Sequence, residues 1–288
     1  MLVTLKDILA IAEEQKIAVG AFNAPNLEAL EAVLDAAEEE NLPVVLQAAQ
    51  CHEDFTAIRR IGPVMREAAR SVKVPVCIHL DHGEDLTYLS GALDLGFTGV
   101  MYDGSTLPYE DNMANSHRAA LMAHAHGASL EAELGSMGRR ESGAGDKTGE
   151  QDETKIYTDP DMAAEFVART ETDALACSFG TTHGIYLTEP KLDFQVVRDV
   201  REKTGGIPVV MHGGSGVSRE DYHEAVRAGV RKINYFTYMD KAGGQAAAEY
   251  LRSLSEGSPA FFTGMACAAR TAMKENVARA MRIFAMKE

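Results

Sequence analysis

The sequence predicts an α/β protein, a (β/α)8 TIM barrel carrying an extra C-terminal helix, and three observations support that reading. Eight short apolar or β-branched runs recur along the chain, segments of helical periodicity separate them, and acids, histidines and glycines gather where the runs stop. Eight strand–helix units are what such a barrel requires, and its chemistry then lies on the loops at the C-terminal ends of the strands. The 288 residues are enough for one domain of this kind, spanning 1–288.

The runs, in order, are IAVGAFN (17–23), PVVLQA (43–48), VPVCIHL (74–80), GVMYD (99–103), ASLEAEL (128–134), ALACSFG (174–180), IPVVMHG (207–213) and VRKINYF (230–236). Helices are expected over 27–40, 54–72, 108–126, 159–170, 191–203 and 218–228. Ahead of the first run, MLVTLKDILAIAEEQK breaks its apolar residues with acids and lysines at helical spacing. It has neither the apolar core nor the cleavage site of a signal peptide, so secretion is not expected. No run is long enough to cross a bilayer, so no membrane contact is expected either.

Between the fifth and sixth units, residues 135–158 are rich in Gly, Asp, Glu, Ser and Lys without apolar periodicity, which suggests a mobile active-site loop. Residues 258–286 read as one long helix whose Met and Ala stripe packs on the barrel or on a second subunit. A homo-oligomer, dimer or tetramer, is therefore expected.

A formal charge of −15 opposes binding to nucleic acid, which depends on clustered Lys and Arg, but leaves room for a small anion in a local pocket. Cys51, Cys77, Cys177 and Cys267 are widely spaced with no CxxC pair. Reduced thiols in a cytoplasmic protein are the simplest reading.

Of nine histidines, His82, His183 and His212 fall at or just beyond the ends of the third, sixth and seventh runs, which meet at one mouth of a barrel. Three imidazoles with an open fourth position suit a catalytic zinc ion. His117, His124 and His126 lie in a helical segment and read as surface or packing residues, and His52 is read the same way. Asp81, Asp103, Glu131 and Glu133 collect at the same mouth. Strand alternation puts Glu131 and Glu133 on one face, so Asp103 and Glu133 could make a second cation position, divalent or monovalent. The plainer alternative is a salt bridge with a barrel Arg or Lys. HGGSG (212–216) offers closely spaced backbone N–H groups for a phosphate, together with NYFT (234–237) after the eighth run.

With AFNAPNLE (21–28), HLDHG (79–83), YDGS (102–105), EAELG (131–135), GTTHG (180–184), MHGGSG (211–216) and NYFT (234–237) in order, the chain resembles the class II, zinc-dependent ketose-bisphosphate aldolases of the fructose-bisphosphate and tagatose-bisphosphate type. The resemblance implies that His82, His183 and His212 hold zinc, with Asp103 and Glu133 at a second metal position. It implies that Asp81 is the acid/base on the oxygen that becomes the aldehyde, and that Glu141 handles the carbon-bound proton. Asn23, Gly184, Gly213, Gly214, Ser215, Asn234, Tyr235, Phe236 and Thr237 would bind the phosphorylated substrate. The expected reaction is reversible cleavage of a ketose 1,6-bisphosphate to dihydroxyacetone phosphate and glyceraldehyde 3-phosphate, a glycolysis-type step of carbohydrate metabolism.

The chain departs from the resemblance in three places. GRRES (138–142) replaces the usual GG-x-E-D of the long loop, VVLQAAQCHEDF lacks a serine found in many relatives, and NYFT brings bulky residues to a phosphate turn. Other readings are a family aldolase for a different phosphorylated ketose, a non-catalytic sugar-phosphate-binding barrel, and a metal-dependent hydrolase. The hydrolase reading lacks an HxH pair on the first strand, and a Schiff-base aldolase lacks a lysine on the sixth.

Overall fold

The computed structural model of the protein describes residues 1–135, 157–182, 184 and 190–288. Strands β1 (Val19–Asn23), β2 (Val44–Ala49), β3 (Val76–Gly83), β4 (Gly99–Tyr102), β5 (Ser129–Leu134), β6 (Ala174–Cys177), β7 (Val209–Met211) and β8 (Val230–Asn234) close into a barrel in sequential order. All neighbours are parallel, and β8 returns to β1 through Val19↔Lys232 and Gly20↔Ile233. Both faces of such strands are covered, which is why they read as nearly continuous apolar runs.

Helices α1 (Leu5–Gln15), α2 (Leu27–Glu40), α3 (Ile58–Ser71), α4 (Leu86–Asp94), α5 (Tyr109–Ala125), α6 (Pro160–Thr170), α7 (Phe194–Lys203), α8 (Arg219–Ala228), α9 (Thr237–Ser253) and α10 (Phe262–Phe284) accompany the barrel. Helix α1 starts at a capping box between Thr4 and Asp7 and buries Leu5, Ile8, Leu9 and Ala12. The Leu5 N–H donates to Thr98 O, just ahead of β4, so α1 closes the end of the barrel opposite the mouth.

Two helices fall outside the expected set. Helices α4 and α9 carry glycines in their interiors, at Gly91 and at Gly243–Gly244, which weakens the helical signal. Gly243 has a packing reason: a Cβ there would meet Met273 Cγ at 2.9 Å, so the small residue lets α9 and α10 approach closely. The expected C-terminal helix is α10, lying against α9 and α2. Among the described residues, no helix is long and apolar enough to cross a membrane.

The third strand runs past the expected 74–80, because pairing with β4 continues to Gly83↔Tyr102. That extension carries Asp81 and His82.

Candidate active site

Asp81 and His82 are sequence neighbours, and neighbours on a regular strand face opposite sides. His82 has a backbone φ of +46°, and the β3–β4 register shifts between Leu80 and Gly83. Such irregularities re-aim side chains, and a left-handed non-glycine residue costs about 1–3 kcal/mol, held here by the surrounding pairing. Both side chains consequently reach one mouth: the ligating atoms of Asp81, His82 and His212 lie within 4.8 Å of one another. The His82 and His212 rings sit edge to face with centroids 4.7 Å apart.

Each imidazole is held by a carboxylate. His82 Nδ1 lies 2.7 Å from Asp103 Oδ2, and Asp103 Oδ1 accepts from the Ser105 N–H and hydroxyl at 3.1 and 2.6 Å. Burial alone would raise the Asp103 pKa, but the bond to His82 and its charge hold the carboxyl well below the usual range. Burial opposes a charge on His82, yet Asp81 and Asp103 raise it. His212 Nε2 donates to Glu131 Oε1 at 2.9 Å, while its Nδ1 is 3.3 Å from Glu133 Oε2. Against burial, these two carboxylates push the His212 pKa up to about 10. The Glu133 carboxyl, fully enclosed, is raised by burial.

Asp81 is buried and accepts three amide hydrogen bonds: Asn23 Nδ2 at 2.9 Å on Oδ2, and Gln47 Nε2 at 3.1 Å and Asn234 Nδ2 at 3.0 Å on Oδ1. Burial would raise its pKa, but His82, Lys232 and His212 and the Asn23 bond outweigh this, so the group stays ionised.

An open cleft lies over these groups, lined by Asn23, Cys51, His52, Asp81, His82, Gly213, Gly214, Ser215, Asn234, Tyr235, Phe236 and Thr237 among others. Along its edge the Gly214 N–H donates to Asn234 O and the Phe236 N–H to Ser215 Oγ, tying the β7 and β8 loops together. Helix α9 begins at Thr237, and its cap residue Phe236 offers no side-chain acceptor. The first-turn N–H groups of this 17-residue helix are therefore uncapped by a side chain at the cleft edge, a favourable setting for an anion.

Several sequence expectations gain a place. Asn23, Gly213, Gly214, Ser215, Asn234, Phe236 and Thr237 line the cleft with Asp81 and His82. Tyr235 meets it with little of its surface, because its ring packs edge-on against Phe22 and Phe284, each 6.0 Å away, and burial pushes its phenol up to about 12. Gly184, with φ +94°, is not among the lining residues. His183, Glu141 and nearly all of the expected mobile loop over 135–158 lie outside the described residues. Asp103 and Glu133 form a second candidate cation group with His82. Glu131 instead makes the plainer partnership, with Lys232 Nζ 2.8 Å from its Oε2.

Sequence reasoning missed Gln47 and Lys232 as parts of the site and set His52 aside as packing. For Gln47 the available signal was a lone amide inside an otherwise apolar strand; Lys232, between Arg231 and Asn234 on β8, had no such contrast. His52 lines the cleft with its ring centroid 5.0 Å from that of Phe236.

Two imidazoles and several carboxylates with converging, largely buried donor atoms fit a divalent cation. A closed parallel barrel with this cluster and an uncapped helix N-terminus at one mouth has the layout of barrel enzymes acting on small anionic substrates. The sequence profile described as fructose-bisphosphate aldolase class-II matches residues 3–288, and the chain belongs to that family of aldolases. A fructose-bisphosphate aldolase of Staphylococcus aureus (strain Mu50 / ATCC 700699) is 37% identical over 293 residues, spanning 98% of this chain and 97% of that one. Among solved structures, the YdjI aldolase of Escherichia coli K12 superposes with a TM-score of 0.86 at 32% identity, covering 99% of this chain and 97% of its own. The fructose-bisphosphate aldolase of Campylobacter jejuni gives 0.79 at 25% identity, covering 98% and 95%.

Proposed function

We propose that this aldolase reversibly cleaves a ketose 1,6-bisphosphate, of fructose or tagatose configuration, to dihydroxyacetone phosphate and glyceraldehyde 3-phosphate. The observation that carries the reading is Asp81, a carboxylate kept ionised by three amide donors beside the His82–His212 pair.

Cleavage between C3 and C4 needs a base for the C4 hydroxyl proton and a sink for the electron pair left on C3. A zinc ion held by His82, His183 and His212 would supply Lewis-acid polarisation of the neighbouring carbonyl. Asp81 is already in the form that accepts a proton: it takes the C4 hydroxyl proton, the C3–C4 bond breaks, and C4 leaves as the aldehyde. Glu141 returns a proton to C3. In condensation Asp81 gives its proton back.

The N-terminal turn of α9 with Gly213, Gly214 and Ser215 would hold the phosphate of the dihydroxyacetone half, and Asn23 and Asn234 orient the substrate through their bonds to Asp81. Gly184 would add a backbone contact. Asp103 and Glu133 would hold a second divalent or a monovalent cation. We read the enzyme as a cytoplasmic homo-oligomer.

One feature favours a second reading, a family aldolase for a different phosphorylated ketose. The His52 and Phe236 rings stand together on the cleft wall beside the turn read as the phosphate site.

The test is retro-aldol turnover of fructose 1,6-bisphosphate and tagatose 1,6-bisphosphate, read through dihydroxyacetone phosphate, before and after chelation and zinc add-back. Chelator-sensitive cleavage that returns with zinc supports the proposal and names the sugar. Zinc-loaded protein that cleaves neither bisphosphate moves the reading to another phosphorylated ketose or to a non-catalytic sugar-phosphate-binding barrel.

A further inference from the structure

Below the cleft, inside the barrel, a single ammonium joins the two halves of the site. Lys232 on β8 is fully buried, with Nζ 2.8 Å from Glu131 Oε2 and 2.8 Å from Asn234 Oδ1. From Glu131 the chain continues through Oε1 to His212 Nε2 at 2.9 Å. From Asn234 it continues through Nδ2 to Asp81 Oδ1 at 3.0 Å. One lysine therefore stands between the residue read as a metal ligand and the residue read as the proton carrier.

We propose that Lys232 is a positioning residue for both, and that it selects which atom each presents to the cleft. The inference rests on the roles proposed for His212 and Asp81 in the aldolase reaction. Chemistry fixes the polarity of each arm. An ammonium only donates, so the Asn234 oxygen must face Lys232, and the Asn234 NH2 is left to face the carboxylate of Asp81, which can only accept. On the other arm, Lys232 anchors one oxygen of Glu131 while the other accepts from His212 Nε2–H, so a metal on this ring would take Nδ1, displacing any proton that Glu133 holds there. Ligating imidazoles commonly carry such a carboxylate on the second nitrogen, and loss of that support typically weakens metal binding.

A lysine this deep also has a plain structural meaning, as the partner of a buried carboxylate. Removing both charges together separates the structural role from the positioning one. In a neutral Glu131→Gln/Lys232→Met variant no unpaired charge remains, so a purely structural pair would leave the site intact. A positioning pair would not.

The experiment uses the full chain stripped of metal, with zinc affinity measured against a chromophoric chelator and folding followed by thermal melting. Lys232→Met and Glu131→Gln/Lys232→Met should each bind zinc roughly 10- to 100-fold more weakly than the parent. A folded variant of either kind whose zinc affinity stays within about threefold of the parent would overturn the proposal; the double variant keeps the test open should the single one fail to fold. The Asn234 arm is read in the zinc-saturated enzyme. Adding Asn234→Ala to the neutral double variant should lower kcat/KM by a smaller factor than the same substitution does in the parent, whereas an equal loss in the two backgrounds would refute the coupling. Failure of the parent itself to bind zinc would count against the proposed function, a result separate from either of these.

Discussion

His82 Nδ1 lies 2.7 Å from Asp103 Oδ2, and the remaining Asp103 oxygen is taken up by the Ser105 N–H and hydroxyl. Both oxygens thus already have protein donors, and the bond fixes His82 with Nε2 as its outward nitrogen. Asp103 then acts first as the support that orients His82, and only the second lone pair of its Oδ2 is left to face a second cation.

Asp103→Ala should therefore lower zinc affinity by roughly 10- to 100-fold, the usual effect of removing a carboxylate behind a ligating imidazole. Equilibrium competition with a chelator measures this directly. Unchanged zinc affinity, with loss of activation by a monovalent cation, would instead make Asp103 a ligand of the second position alone.

Asp81→Asn should leave zinc content near that of the parent and reduce retro-aldol kcat by roughly 10²- to 10⁴-fold, the range for removal of a positioned acid/base. The substitution keeps the shape but removes the proton acceptor, and its amide NH2 must face one of the donors from Asn23, Gln47 or Asn234. Zinc analysis and steady-state kinetics on the same preparation separate the two effects. A variant that loses zinc as well would place Asp81 in the metal site.

The barrel was legible because its strands are buried on both faces, so each wrote itself into the sequence as an apolar run with a polar end. β5 and β8 also showed the polar residues of the cluster there, as Glu131, Glu133 and Asn234 in positions where an apolar side chain would be expected. The turn at His82 was not legible. Its left-handed backbone depends on where β3 meets β4, a pairing between residues some twenty positions apart, and no local pattern near Asp81 encodes it. The Lys232 hub was hidden for a similar reason, since its partners come from β5 and from its own strand two residues on. Helix α9 was hidden by its paired glycines, whose purpose appears only when α10 lies against Gly243.

The four cysteines should divide into two pairs by reactivity. Cys77 and Cys177 are fully buried, and burial pushes both thiols up to about 12, so thiolate is scarce at pH 8. Cys51 and Cys267 are exposed. Alkylation of the native protein at pH 8, mapped by mass spectrometry, should label Cys51 and Cys267 within minutes and the other two only after denaturation. Because Cys51 lines the cleft, dihydroxyacetone phosphate should slow its labelling and leave Cys267 unaffected. Equal protection of both would mean that the ligand acts elsewhere.

His79 gives the protein a defined acid sensitivity. Its ring is fully buried on β3, where burial and the nearby Lys232 lower its pKa from 6.5 to about 3, against the pull of Glu131 and Asp81. The folded protein therefore holds His79 neutral at pH values where the unfolded chain would protonate it. Above pH 6.5 neither state carries the proton and stability is unaffected; between 6.5 and 3 the unfolded state binds it preferentially, so stability falls as pH falls. At pH 5.5, one unit below the unfolded value, this group alone costs about 1.4 kcal/mol. Urea unfolding at pH 7.5 and 5.5 should show the parent losing about 1.4 kcal/mol more than His79→Gln across that interval, since glutamine does not titrate. Equal losses in the two proteins would mean that His79 takes up a proton in the folded state, which would require the Glu131–Lys232 pair to rearrange around it.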